Sequence, residues 1–237
     1  VNISLDKNGF PVFDVMVREQ PLGQFHLNIP GKHNVCNALA SIACCHTLGV
    51  PMEQIQKFLS VFKGTHRRFD ILGVVDDITV IDDYAHHPTE VKATLAGAAQ
   101  VPHNRIWSVF QPHTYTRTKA LLHDFAGSFA EADKIIITDI YAAREPDTGI
   151  IHAKDLAEAI RKQHKDVIYI HDFHRIVEYL KKEIQPKDLI LTMGAGNIYQ
   201  VGQMLLDSLH AEKEKIVCSS LQKQQKAIAP NHKKSFA

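Results

Sequence analysis

The sequence predicts an α/β fold: a Rossmann-like, doubly wound, mostly parallel sheet, preceded by a small β-meander and two helices. Three observations carry this. From about residue 71, short apolar runs (ITVID, RIWSVF, KIIITDI, VIYI, LILTM) alternate with helical segments, the order that builds a sheet covered by helices on both faces. Those runs are near-continuously apolar, as buried parallel strands require, whereas half-exposed strands alternate. Residues 1–30 do alternate, in VNISLD, PVFDVMVRE and GQFHLNI, which marks a separate antiparallel unit.

Taken in order, the meander has turn signals at Asn8-Gly9 and Pro21-Leu22-Gly23. A first helix is expected over 33–48, Ala-rich and stopped by Gly49, and a second over 52–62, after Pro51 and before Gly64. Helices are then expected over 89–100, 117–131, 153–163, 173–184 and 197–209, each following one of the apolar runs. Beyond 209 the text AEKEKIVCSSLQKQQKAIAPNHKKSFA is polar and rich in Lys and Gln, with no sustained apolar stripe, and reads as a mostly disordered tail over 211–237.

Composition narrows the function. With 45% hydrophobic and 22% charged residues among 237, the chain can bury a proper core. Its 27 basic residues against 26 acidic ones leave a net charge of +1, so neither nucleic acid nor an anionic membrane is an expected partner. No apolar run is long enough for a membrane span and the start lacks a secretory signal, so the cytoplasm is the expected location. Cys36, Cys44, Cys45 and Cys218 have no paired spacing and read as reduced, inert thiols. Val1 is not an initiator methionine and the text opens in mid-alternation, so a piece of a longer protein is expected.

Ligands of an open α/β sheet bind beyond the carboxyl ends of its strands, where loops and helix amino termini converge. Four polar clusters fall there: DDYAHHPTE (82–90), QPHTYTRT (111–118), DIYAAREP (139–146) and GAGN (194–197). Asp82 continues its strand, while Asp83 is better placed to accept hydrogen bonds from a hydroxyl or an arginine. Only one of His86 and His87 can face a ligand; His86 is favoured, and His87 can equally be a capping residue. Arg117 opens a predicted helix, where the dipole disfavours a cation, so an anionic partner is expected for it. The GAG turn could bring amides to a ligand or could simply serve the bend. No spacing of a zinc helix occurs among the 15 histidines, so no metal site is expected.

The ordered set GKHNVCNA (31–38), RRF (67–69), DDYAHHP (82–88) and FQPH (110–113) resembles the Mur ligase family over residues 1–210. DDYAHHPTE followed by FQPHTYTRT is most similar to its L-alanine-adding branch. The resemblance implies that residues 1–70 are the end of a truncated central ATP-binding domain and 71–210 the carboxy-terminal Rossmann-like domain. It implies ATP and Mg2+ as cofactors, with the magnesium ligands mostly outside these residues. The implied substrates are UDP-N-acetylmuramate, whose carboxylate is phosphorylated, and L-alanine, whose amine attacks the acyl phosphate.

By the same resemblance His33, Asn34 and Asn37 lie on the adenine side, Asp83 holds the ribose, and Arg68 or its neighbour Arg67 reaches the nucleotide. Tyr84, His86, Thr114 and Arg117 face the amino-acid and muramate end, with Arg68 and His86 nearest the chemistry. Thr114 stands where some relatives carry a second arginine, which puts a two-arginine clamp in doubt. No G-x-x-x-x-G-K-[ST] occurs in the 237 residues, so the chain is expected to be inactive alone. Two alternatives stay open: a ligase that recycles a wall peptide onto the same sugar nucleotide, and a non-catalytic nucleotide- or partner-binding module.

Overall fold

The computed structural model describes residues 2–228, with side-chain surroundings to residue 215. β1 (Ile3–Leu5), β2 (Pro11–Val17) and β3 (Gln20–His26) form an antiparallel sheet in that order. Alternation sends Phe13, Val15 and Phe25 to one face, where with Leu27 they pack on Val35, Ala38 and Ile42 of α1 (Lys32–Thr47) and Ile55 of α2 (Met52–Val61). Leu48, Phe58 and Val61 on the far side of these helices are exposed. The second meander turn is not at Pro21-Leu22-Gly23. It lies at Arg18-Glu19, both at positive φ (47° and 68°), the twist that two-residue hairpins favour. Pro21 and Gly23 sit inside β3, paired with Met16 and Val15, because β3 is an edge strand and tolerates a missing donor.

The second sheet has the order β4-β5-β9-β6-β7-β8, comprising β4 (Asp70–Val75), β5 (Ile78–Asp83), β6 (Ile106–Phe110), β7 (Lys134–Ile137), β8 (Val167–Tyr169) and β9 (Leu189–Met193). Every pairing except β4 with β5 is parallel. Helices cover both faces: α3 (Pro88–Ala98), α5 (Leu122–Ala126) and α6 (Ala153–Arg161) share one core, and α7 (Phe173–Glu183) and α8 (Tyr199–Ile228) the other.

Three expectations are corrected. β4 was not foreseen; it joins β5 through Asp76-Asp77, a turn with both φ positive and no glycine to announce it. The helix expected over 117–131 is two, α4 (Tyr115–Ala120) and α5, divided at Leu121, whose φ is −107°. The disordered tail is helical as far as Ile228, since Glu, Lys, Gln, Ala and Leu dominate and no Gly or Pro intervenes. Lys213 ties its first part to Asp76 at 2.6 Å. The rest of the expected tail, 229–237, lies outside the described residues.

Two features hold this architecture. At the sheet edge opposite the candidate rim, Asp188 is fully buried and accepts from Arg105 Nε (3.1 Å) and Nη2 (2.6 Å), Trp107 Nε1 (2.9 Å) and the Gln185 amide (2.9 Å). Between the two units, the meander turn at Gly9 presses on the end of α3. A Cβ at Gly9 would stand 1.9 Å from the Gln100 carbonyl oxygen, and one at Gly97 would stand 3.6 Å from Gly31 Cα. Among the described residues no helix is long and apolar enough to cross a membrane.

Candidate functional site

The two carboxylates that end β5 have different surroundings. Asp82 is fully buried and accepts from Arg67 Nε (2.8 Å) and Thr192 Oγ1 (2.7 Å), so it serves the fold. Asp83 accepts the amides of Phe69 and Ala85, each at 2.8 Å, and borders a cavity. Burial pushes its carboxyl above the ordinary value, more than those amides and the Arg68 charge pull it down.

After β5 the chain turns into α3. His87 is the N-cap: its ring accepts the Thr89 amide while Glu90 accepts the His87 amide, a reciprocal capping box with Pro88 at the first helical position. That is the capping role left open for it. Glu90 also accepts the His86 amide at 2.9 Å, and the His86 ring lies 2.9 Å through Nδ1 from the Tyr84 carbonyl oxygen.

His86 continues into the next loop. Its ring is 5.8 Å from that of His113, which stacks on Tyr141 at 5.6 Å and meets Arg117 Nη1 at 3.3 Å through Nδ1. Since a guanidinium can only donate, His113 Nδ1 accepts and its proton sits on Nε2. Burial, then the Arg117 and His86 charges, depress the His113 pKa. In an NMR titration its imidazole should therefore protonate below the ordinary 6.5, and Arg117→Gln should bring it back upward; an unshifted His113 would contradict the contact.

Thr114 caps α4 at φ 65°, an unfavourable angle for a β-branched residue, and its side chain makes no capping bond. Its carbonyl takes the Thr118 hydroxyl at 2.7 Å. Glu145 reaches back from the loop after β7 to the Thr116 amide at 3.0 Å, folding that loop over the first turn of α4. In the GAG turn, a Cβ at Gly194 would stand 2.8 Å from the Gln111 carbonyl oxygen, and one at Gly196 2.3 Å from Gln111 Oε1 and 2.6 Å from the Tyr141 ring. Those glycines make room for protein, which explains them without a ligand.

A cavity of about 600 Å³ opens between the two units. His33, Asn34, Asn37 and Ser41 of α1 form one wall; Gly64, Thr65 and Arg68 of the connecting segment form the second; Asp83, Glu90 and Thr94 form the third. Burial lowers the His33 pKa, with Asp83 opposing and Arg68 adding to it. Five expected residues, His33, Asn34, Asn37, Arg68 and Asp83, thus converge from stretches 50 positions apart between His33 and Asp83.

Arg67 does not join them. Its guanidinium donates to Asp82, to the Gly196 carbonyl (3.1 Å) and to the Gly194 carbonyl (2.7 Å), away from the residues that line the cavity. Tyr84, His86, Thr114 and Arg117 lie along the neighbouring rim, outside the cavity wall, with Glu90 bordering both. Glu90, Ser41 and Thr94 were not anticipated. Glu90 had a readable signal as the third helical residue of a capping box; Ser41 and Thr94 had none. Among the described residues no three His, Cys, Asp or Glu side chains converge as metal ligands.

The fold and site define an α/β protein with a ligand-sized cavity at the carboxyl edge of its sheet, against a wall supplied by a preceding unit. The family profile described as "Mur ligase, glutamate ligase domain" matches residues 67–196, and the chain belongs to the Mur ligase family. It is 58% identical over 206 residues to the UDP-N-acetylmuramate–L-alanine ligase of Caldanaerobacter subterraneus subsp. tengcongensis, covering 87% of this chain and 45% of that protein. The enzyme of the same name from Acetivibrio thermocellus is 55% identical over 205 residues, covering 86% and 44%. Among solved structures, UDP-N-acetylmuramate-alanine ligase MurC of Thermotoga maritima superposes with a TM-score of 0.75 at 26% identity, over 86% of this chain and 44% of that one. The murein peptide ligase Mpl of Psychrobacter arcticus gives 0.57 at 26% identity, over 87% and 43%. The chain therefore spans less than half the length of the curated relatives it matches.

Proposed function

We propose that this chain is the carboxy-terminal part of an ATP-dependent ligase that joins L-alanine to UDP-N-acetylmuramate in peptidoglycan synthesis. The observation that carries the reading is the cavity between the units, which gathers two asparagines, a histidine, an arginine and a carboxylate around a volume of nucleotide size. Asn34 and Asn37 offer amides, and His33 a ring, to the edge and face of a base. Asp83 accepts from ribose hydroxyls, and Arg68 supplies charge for phosphate oxygens. ATP supplies the phosphoryl group that activates a carboxylate. Along the adjoining rim, Arg117 has the fork that clamps a carboxylate, while Tyr84, His86 and Thr114 flank the place where an amine would arrive. Among the described residues no three His, Cys, Asp or Glu side chains gather as a metal site, so no step is assigned to magnesium through them.

These 237 residues hold no phosphate-cradling G-x-x-x-x-G-K-[ST], and phosphoryl transfer rests on such positioning and neutralisation. The expected outcome is that the purified chain binds ADP but releases no phosphate when given ATP, magnesium, UDP-N-acetylmuramate and L-alanine. Alanine-dependent phosphate release would mean the phosphate machinery lies within these residues. A chain that folds and does not bind ADP would remove the nucleotide assignment.

A further inference from the structure

We propose that Arg67 is a positioning residue: it aims Arg68 into the cavity and holds the Tyr84 ring that joins the cavity to the histidine rim, without touching nucleotide itself. The inference rests on the nucleotide reading of the cavity.

The segment that carries Arg68 is unfavourable on its own. Arg67 and Phe69, on either side, both have positive φ (59° and 48°), which L residues adopt only when their surroundings impose it. The surroundings are identifiable. The Arg67 carbonyl accepts the Tyr84 amide at 2.8 Å, the Arg67 amide donates to Asp70 at 3.1 Å, and the Phe69 amide donates to Asp83 at 2.8 Å. The Arg68 amide donates to the Thr65 carbonyl at 3.1 Å, but among the described residues its guanidinium makes no hydrogen bond, and its direction is inherited from these two neighbours.

The Arg67 side chain spans the sheet edge. Three of its nitrogens donate at once, to the Asp82 carboxylate in β5 and to two carbonyls following β9. Its guanidinium carbon lies 4.8 Å from the Tyr199 ring centroid and 5.0 Å from that of Tyr84, while that of Arg68 lies 5.5 Å from the same Tyr84 ring. Tyr84 in turn meets the His86 ring edge-on at 5.4 Å. Asp82 neutralises Arg67 at 2.8 Å, so the cation left for an anionic ligand is Arg68. A lysine at 67 could not reproduce a planar fork with three directed donors and two stacked rings.

The test is a double-mutant cycle on ADP affinity by titration calorimetry. Arg67→Lys should weaken ADP about tenfold, and Arg68→Ala by at least as much; the double variant should match Arg68→Ala, because Arg67 acts through Arg68. Tyr199→Leu, at a 42% exposed position outside the cavity, carries the test if Arg67→Lys does not fold. It should weaken ADP about threefold with no further loss in the Arg68→Ala background. Equal losses in both backgrounds, or undiminished affinity in both single variants, would overturn the positioning role while leaving the nucleotide site intact. No ADP binding by the unsubstituted chain would overturn the nucleotide reading, and this inference with it.

Discussion

Asp188→Ala is expected to lower the unfolding free energy by about 3 kcal/mol, the lower end of the range for breaking a buried ion pair, read from urea denaturation. The lower end applies because the Arg105 side chain is 23% exposed and recovers some hydration, whereas Asp188 has none to recover. Removing the carboxylate also leaves the buried Trp107 indole N–H and the Gln185 amide without acceptors. Burial alone would push the Asp188 carboxyl up. The Arg105 hydrogen bonds, the Gln185 and Trp107 donors and the Arg105 charge outweigh it and hold the pKa below the ordinary carboxylate value. A depressed folded pKa means this stability is present above the unfolded carboxylate pKa and is lost as pH falls through the folded one. The difference between parent and variant should accordingly shrink on acidification below about pH 4. A gap that stays constant to pH 2 would contradict the assignment.

Gly9→Ala is expected to separate the two units while leaving both folded. At φ 83° an alanine is strained, and its Cβ would stand 1.9 Å from a backbone carbonyl oxygen that has no flexible side chain to give way. The combined cost is on the order of 2–4 kcal/mol, concentrated where the meander turn meets α3. Hydrogen exchange should speed up where α3 ends, and protease sensitivity should rise in the 62–69 connection, with β6 and β9 keeping their protection. ADP affinity should fall as well, since the cavity takes its walls from both sides. Unaltered exchange at 97–101 would show that the contact does not hold the units together.

Much of the fold was legible because it depends on local periodicity. Apolar runs such as RIWSVF and LILTM have one physical solution in a helix-covered sheet, and β6 and β9 lie side by side at its centre. Where local signals were weak, expectation failed. DILGVV carries little strand signal of its own because its hairpin turn is Asp-Asp and its Gly73 gap is filled by Leu206, 133 residues away. The helix beyond Leu209 has no apolar stripe to announce it, although its residue types favour helix and lysine pairs tie its start to neighbouring elements.

The candidate site divides in the same way. Residue type and order, by themselves, determined the family resemblance and marked the rim where polar loops converge. Between neighbours they gave only a preference, for Arg68, Asp83 and His86. Arg67 and Arg68, Asp82 and Asp83, and His86 and His87 are pairs alike in composition and adjacent in sequence. Only the tertiary structure assigned one of each to the interior or a helix cap and the other to a cavity or rim. The reason is that a one-residue step reverses the face a strand or extended segment presents, and what waits on each face comes from distant parts of the chain. For Arg67 that is the pair of carbonyls after β9; for Asp83 it is the wall formed by α1.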